Sequence, residues 1–297
     1  MTGLSALVKR NCKLFFKDKW MFFTSLITPA ILLVLYSTFL AKVYKDSFTK
    51  ALPSLFLVDE ALINGTVGAQ LVSSLLAVSC VTVSFCSNLL MVQDKVTGAR
   101  RDLTMSPVKR STLALSYFIA SALVSLIICI VALSLCLCYL GLTGWYMSVK
   151  DILLITLDVL ILVLFGTALS SLINCNLSTN GQASAVGTIV SSGYGFLCGA
   201  YMPISNFSTG LQKVLSYFPG TYGTSLIRNH ALNGVFEEMK EVGFPPVVIE
   251  GIRDSVDCNF YFHGSVVSIG AMYTVMICTI VVLIGGYILL TFVKKRK

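Results

Sequence analysis

The sequence predicts an all-α membrane protein with six transmembrane helices. It adds an N-terminal interfacial helix and an extracellular re-entrant helical hairpin between spans five and six. Three observations carry this reading. Hydrophobic residues make up 56% of the 297 residues and charged residues only 12%, where a soluble domain carries about 25% charged residues. Apolar runs recur at lengths near 20 residues, which is what about 30 Å of hydrocarbon requires of a helix. Lysine and arginine gather in short segments on one side of those runs, as orientation in a membrane demands.

Residues 2–19 form the interfacial helix. Leu4, Leu7, Val8, Leu14 and Phe15 recur at helical spacing, and Lys9, Arg10, Lys13 and Lys17 supply a basic face, a pattern that lies in the headgroup plane. Residues 22–41 are the first span, kinked at Pro29, and they are long enough to remain a span rather than a cleaved signal. A polar outside loop leads to the second span at 70–92, with Asn88 near its inner end. The third span, 111–140, is longer than crossing requires and is therefore tilted or projecting. Trp145 and Tyr146 mark an interfacial turn before the fourth span, 152–173. An uncharged inside turn, NCNLSTNGQ, precedes the fifth span at 183–202. That span is rich in small residues, Ser191, Gly193, Gly195 and Gly199 among them, which permit close backbone approach around a path or a dimer contact.

Residues 203–263 form an extracellular segment. Phe207, Leu211, Val214, Leu215 and Phe218 make an apolar stripe, Pro219-Gly220 breaks it, and Tyr222, Leu226 and Ile227 resume it until Arg228. Each piece is too short to span, so the pair reads as a re-entrant hairpin on the outer side; in a transporter it would form an outer gate with Phe207, Leu211, Leu215, Phe218, Pro219 and Tyr222. An acidic stretch follows. The sixth span, 266–293, ends in Lys294-Lys295-Arg296-Lys297. The whole chain, 1–297, is thus one transmembrane domain with both termini cytoplasmic, since most Lys and Arg residues then fall in short inside segments.

Between spans two and three lies QDKVTGARRDLTMSPVKR, residues 93–110. It is basic yet contains both signs. Gly98 breaks a turn, Arg101-Asp102-Leu103 starts a short helix, and Ser106-Pro107 ends it because proline fixes its own φ and moves the preceding residue out of the helical region. A folded inside loop of this kind is a docking piece for a cytoplasmic partner. The pattern Asp94, Thr97-Gly98, Arg101-Asp102-Leu103, Ser106-Pro107-Val108 resembles the coupling loop of type-2 ATP-binding-cassette (ABC) exporter permeases. The order Thr97-Gly98 is reversed relative to that family, and its acidic start is reduced to Asp94. Met202-Pro203, Leu211, Leu215, Phe218-Pro219, Thr221-Tyr222 and Leu226-Ile227-Arg228 likewise resemble the family's run after the fifth span.

The resemblance implies a membrane subunit in the cell (inner) membrane. It implies a second permease copy, identical or a close paralogue, and a separate ABC ATPase subunit that binds ATP and Mg. Docking would use Asp94, Gly98, Arg101, Asp102, Leu103, Ser106, Pro107 and Val108. A path at the dimer interface of spans one, two and five would carry the solute outward by alternating access. The apolar and small path residues fit an amphiphilic, lipid-like or drug-like solute, as in multidrug export.

No phosphate-binding GxxxxGK[ST] loop, GxSxG or HExxH is present in the sequence, so no catalytic residue and no cofactor of its own is expected. His230 and His263 are isolated, and most of the ten cysteines lie in apolar runs, so no metal site is expected either. The basic balance holds orientation rather than nucleic acid. The Asn-x-Ser/Thr matches at Asn64, Asn176 and Asn206 fall on both sides and read as chance. Asp158 is the one acid deep in a span, a functional candidate by default. It supports a second reading, a solitary ion- or proton-coupled carrier; a third is a non-transporting membrane sensor or scaffold.

Overall fold

The computed structural model describes residues 2–36, 38, 42, 45, 59–105 and 108–293. Ser106, Pro107 and the last four residues, as well as the end of the expected first span, lie outside the described residues. The helices are α1 (Thr2–Lys17), α2 (Lys19–Leu35), α3 (Glu60–Ser87), α4 (Leu90–Val96), α5 (Ala99–Met105), α6 (Arg110–Thr143) and α7 (Val149–Asn174). After α8 (Asn180–Leu197) come a 3₁₀ turn (Ile204–Asn206), α9 (Thr209–Leu215), α10 (Pro219–Glu241), α11 (Pro246–Ser255) and α12 (Ile269–Val293). A two-residue hairpin, β1 (Tyr261–Phe262) and β2 (Ser265–Val266), pairs Tyr261 with Val266 across His263 and Gly264. Both turn residues have positive φ, which suits the twist of a tight hairpin.

Helix α3 is the axis of the bundle. It is apolar or small on every side, with buried residues from Leu62 to Ser87, the signature of a helix with no solvent face. Helices α2, α6, α7, α8 and α10 all pack on it. Gly166 lets α7 approach: a Cβ there would lie 3.0 Å from the Val81 Cα of α3. Helix α7 opens with a reciprocal cap between Ser148 and Asp151, two otherwise orphaned donors satisfied together.

Among the described residues, four helices are long and apolar enough to cross a membrane: α3 continuing into α4, α6, α7 and α12. The count reaches five if α1 and α2, bent by 76° at Asp18, form one broken span. This is an all-α membrane protein. Helix α8, expected as the fifth span, is not among these four: it has 18 residues, and its several Gly and Ser make it less apolar than they are. The expected second span begins ten residues earlier than its apolar run, at Glu60, because Asp59 caps Ala61 and the polar residues Asn64, Thr66 and Gln70 are accommodated within the helix.

The segment after α8 also departs from expectation. The break at Pro219 is present, with proline at the first helical position, where its missing N–H is harmless. Helix α10 then passes straight through Arg228 to Glu241. No breaker interrupts it, and its polar residues find buried partners instead of ending it. It runs alongside α3. Gly234 abuts the Tyr146 carbonyl, whose residue also covers Gly65 near the start of α3, and Arg228 reaches Ser74, halfway along α3.

Candidate functional site: the 93–110 loop and the polar clusters that hold it

Helix α4 prolongs α3 past a small break at Asn88 and Leu89. Gly98 then turns the chain at φ +85°, a conformation that costs any L side chain about 1–2 kcal/mol, and α5 follows with no buried residue. Arg101 and Asp102 are exposed on α5, while Leu103 and Val108 are half-buried and rest against the core. Met105 is 72% exposed, a large apolar side chain standing free at the tip.

Asp94 does not belong to that surface. It is 5% exposed, and it accepts from Arg10 of α1 at 2.8 Å (Nη1 to Oδ2) and 3.3 Å (Nη2 to Oδ1). The Tyr117 hydroxyl of α6 donates to the same carboxylate at 2.5 Å. Hydrogen bonding to Asp94 raises the Arg10 guanidinium further above its ordinary value. Of the residues expected in docking, Asp94 thus points into the bundle, with both oxygens engaged by Arg10 and Tyr117, as a buried carboxylate requires. Lys95 faces the other way. Its ammonium donates to the carbonyl oxygens of Asn174, Cys175 and Leu177 at 2.9, 2.8 and 2.6 Å. A cation here closes the carbonyl end of α7 and complements its dipole. Consecutive residues therefore fasten the root of the exposed loop to α1 and α6 on one side and to α7 on the other. Asn88 strengthens the second connection, donating to Ser170 at 3.0 Å and Ser171 at 2.7 Å. It faces protein, at 1% exposure.

Asp158 is not alone. His230 Nδ1 lies 2.6 Å from Oδ2, and the Tyr273 hydroxyl donates to Oδ1 at 2.6 Å. The acid thus joins α7, α10 and α12, and the His230 and Tyr273 rings stack, 6.4 Å between centroids. Reading His230 as isolated was an artefact of its 72-residue separation from Asp158.

A third cluster went unnoticed in the sequence. Arg228, 1% exposed, donates to Gly199 O at 2.6 Å and Ser74 Oγ at 3.3 Å, and pairs with Asp257 at 3.3 Å. Asp257 in turn accepts from the backbone N–H of Ile204 and of Ser205. Asn229 donates to Cys258 O at 2.6 Å and accepts from Arg253 at 3.1 Å. One buried arginine thereby fixes α10 to α3, to the end of α8 and to the segment before α12. An arginine following an apolar stripe was the only signal available.

The sequence profile of the ABC-2 type transporter family matches residues 2–231, most of the chain. The chain belongs to the ABC-2 type transporter family. No curated protein matches it. The matched region spans the loop, the three clusters except Arg253, Asp257, Cys258 and Tyr273, and the glycine-rich α8.

In this ABC-2 chain the small residues of α8 divide into two groups. Gly193 has open space where a Cβ would stand, and Ser191 beside it is only half-buried. Among the described residues none comes within 4 Å of that position at Gly193. Gly195 does pack: a Cβ would stand 2.4 Å from the Tyr201 ring. Gly199 is needed for its φ of +72° and offers its carbonyl to Arg228. Of the six residues expected at an outer gate, Leu215 and Tyr222 are buried, Phe207, Phe218 and Pro219 half-buried, and Leu211 exposed. The Tyr222 hydroxyl donates to Ser216 O at 2.8 Å, across the Pro219 break.

Proposed function

We propose that this chain is the permease subunit of an ABC exporter, driven by a separate ATPase that binds ATP and Mg. The observation that carries this is the contrast within ten residues. Helix α5 has no buried residue and exposes Arg101, Asp102 and Met105, while Asp94 and Lys95 at its root are tied into the bundle. A push on α5 is therefore delivered to α1, α6 and α7 together. ATP-driven closure of the partner would shift the bundle between two packings, to the extent that the partner binds the two differently.

The rest of the proposal follows from exposed apolar surface. Helices α2 and α8 present Phe23, Ile27, Ile31, Ile189 and Phe196, and α8 adds the open face at Gly193. A second copy, identical or paralogous, would pack there and enclose the path. Helices α2 and α8 then serve as spans one and five, giving six in all, with both termini cytoplasmic. Helix α10, lying beside α3 from midway to its start, supports a re-entrant hairpin that closes the outer side. An amphiphilic or lipid-like solute fits a path lined by small and apolar residues. The solitary-carrier reading gains nothing from Asp158, whose two oxygens are both engaged by His230 and Tyr273.

The test is reconstitution with a candidate ATPase. Asp102→Lys with Met105→Ala, both exposed on α5, should abolish ATP-dependent transport while leaving the chain folded. Unimpaired transport would overturn the docking assignment.

A further inference from the structure

A cavity of about 370 Å³ opens beside the root of the loop. Lys95, Arg100, Arg101 and Arg110 line it, together with Leu113 of α6 and Leu290 of α12. We propose that it holds the phosphate headgroup of an anionic phospholipid from the leaflet on the loop's side. Calling that leaflet cytoplasmic rests on the orientation proposed above; the binding itself does not.

Four cationic side chains converge there from α4, α5 and the start of α6. Arg100, Arg101 and Arg110 form no ion pair among the described residues. Like charges held in one concavity repel one another, and an anion removes that repulsion while adding charge-assisted hydrogen bonds. Guanidinium groups in particular match phosphate oxygens in pairs. Arg110 also opens the 34-residue α6, where the helix dipole favours negative charge. Lys95, already bound to three carbonyls, contributes field rather than a free donor.

Depth decides between a lipid and a dissolved anion. The cavity lies where α6 begins, where α7 has just ended at Cys175, and where α12 nears its end at Leu290 and Thr291. Those ends of three apolar helices mark the boundary of the hydrocarbon layer. Leu113 and Leu290 give the cavity an apolar side as well as a basic one, which an acyl-bearing phosphate uses and inorganic phosphate does not. Basic pockets between spans at this level are a general means of binding acidic headgroups. Because Arg100 and Arg101 belong to α5, an occupied site would hold the loop in one position and make its movement sensitive to the lipid.

Native mass spectrometry of the purified full chain, after exchange into mixed micelles of phosphatidylglycerol and phosphatidylcholine, tests this without any ATPase. The wild type should retain phosphatidylglycerol selectively. Arg100→Gln with Arg110→Gln should weaken that retention roughly thirtyfold, the effect of two basic residues at an anionic surface. Arg100→Lys with Arg110→Lys should restore most of it, which separates charge from folding. Added inorganic phosphate should not displace the lipid. Equal retention of both lipids, displacement by millimolar phosphate, or retention unchanged in the glutamine variant would each overturn the proposal. Loss of ATPase binding in that variant with lipid retention intact would assign the basic cavity to the partner protein instead.

Discussion

Asp94→Ala is the perturbation that bears most on how the loop is anchored. The substitution removes an acceptor of three hydrogen bonds, leaving the Tyr117 hydroxyl without that acceptor and the Arg10 guanidinium with Asn11 and partial hydration. Breaking a fully buried ion pair from one side costs about 3–5 kcal/mol. Here the Asp94 side chain is 7% exposed but that of Arg10 is 31% exposed, so the arginine recovers part of its hydration. A loss of about 2–3 kcal/mol is the corresponding expectation after discounting for that exposure. In a chain of this size each kcal/mol is worth about 2–4 °C, so melting followed by size-exclusion chromatography in detergent should shift down by about 4–12 °C. Asp94→Asn keeps one carbonyl acceptor for Tyr117 and should lose about half as much, roughly 1–1.5 kcal/mol. Arg10→Met in the Asp94→Ala background should add little, because the partner is already gone. A wild-type melting temperature for Asp94→Ala, or additive losses in the double variant, would refute the idea that Asp94 ties α1 to the loop.

Four further outcomes follow from the same geometry. Gly98→Ala should cost about 1–2 kcal/mol at the hinge and slow ATP-coupled transport more than it lowers the melting temperature; a fully active variant would mean the turn can be rebuilt without a left-handed residue. Arg228→Lys should destabilise nearly as much as Arg228→Ala, by about 3–5 kcal/mol, because one ammonium cannot span Gly199, Ser74 and Asp257 together; thermal melting distinguishes the two cases. Asp158→Asn should lower stability while retaining transport, and complete loss of transport at unchanged stability would revive a coupling role for the acid. Burial pushes the Cys258 thiol up to about 12, so it should remain protonated and resist maleimide at pH 8 until the fold opens.

Local signals were legible where a residue's own backbone preference decides the structure. Gly98 and Pro219 break the chain where they stand, and the apolar runs of α6, α7 and α12 are helices because nothing interrupts them. Long-range pairing was not legible. Asp94 looked like a surface acid because it lies in a polar loop; only the fold reveals that Arg10, 84 residues earlier, turns it inward. The same holds for Asp158, which seemed unpartnered until α10 carried His230 to it. Helix α10 was underestimated because polar residues such as Arg228, Asn229 and His230 read as surface, yet each is buried against a complementary group. Composition indicates how much polarity a helix holds, but not whether a neighbour can satisfy it. The small residues of α8 were ambiguous for a related reason: glycine serves a left-handed turn at Gly199 and leaves an open face at Gly193.

Contact between α5 and an ATPase is what couples this chain to ATP in the proposal above. Co-purification of the full chain with its candidate ATPase in mild detergent tests it most directly. A stoichiometric complex should form and be lost on Asp102→Lys with Met105→Ala, while the melting temperature of this chain is unchanged. A complex that survives this double substitution would contradict it.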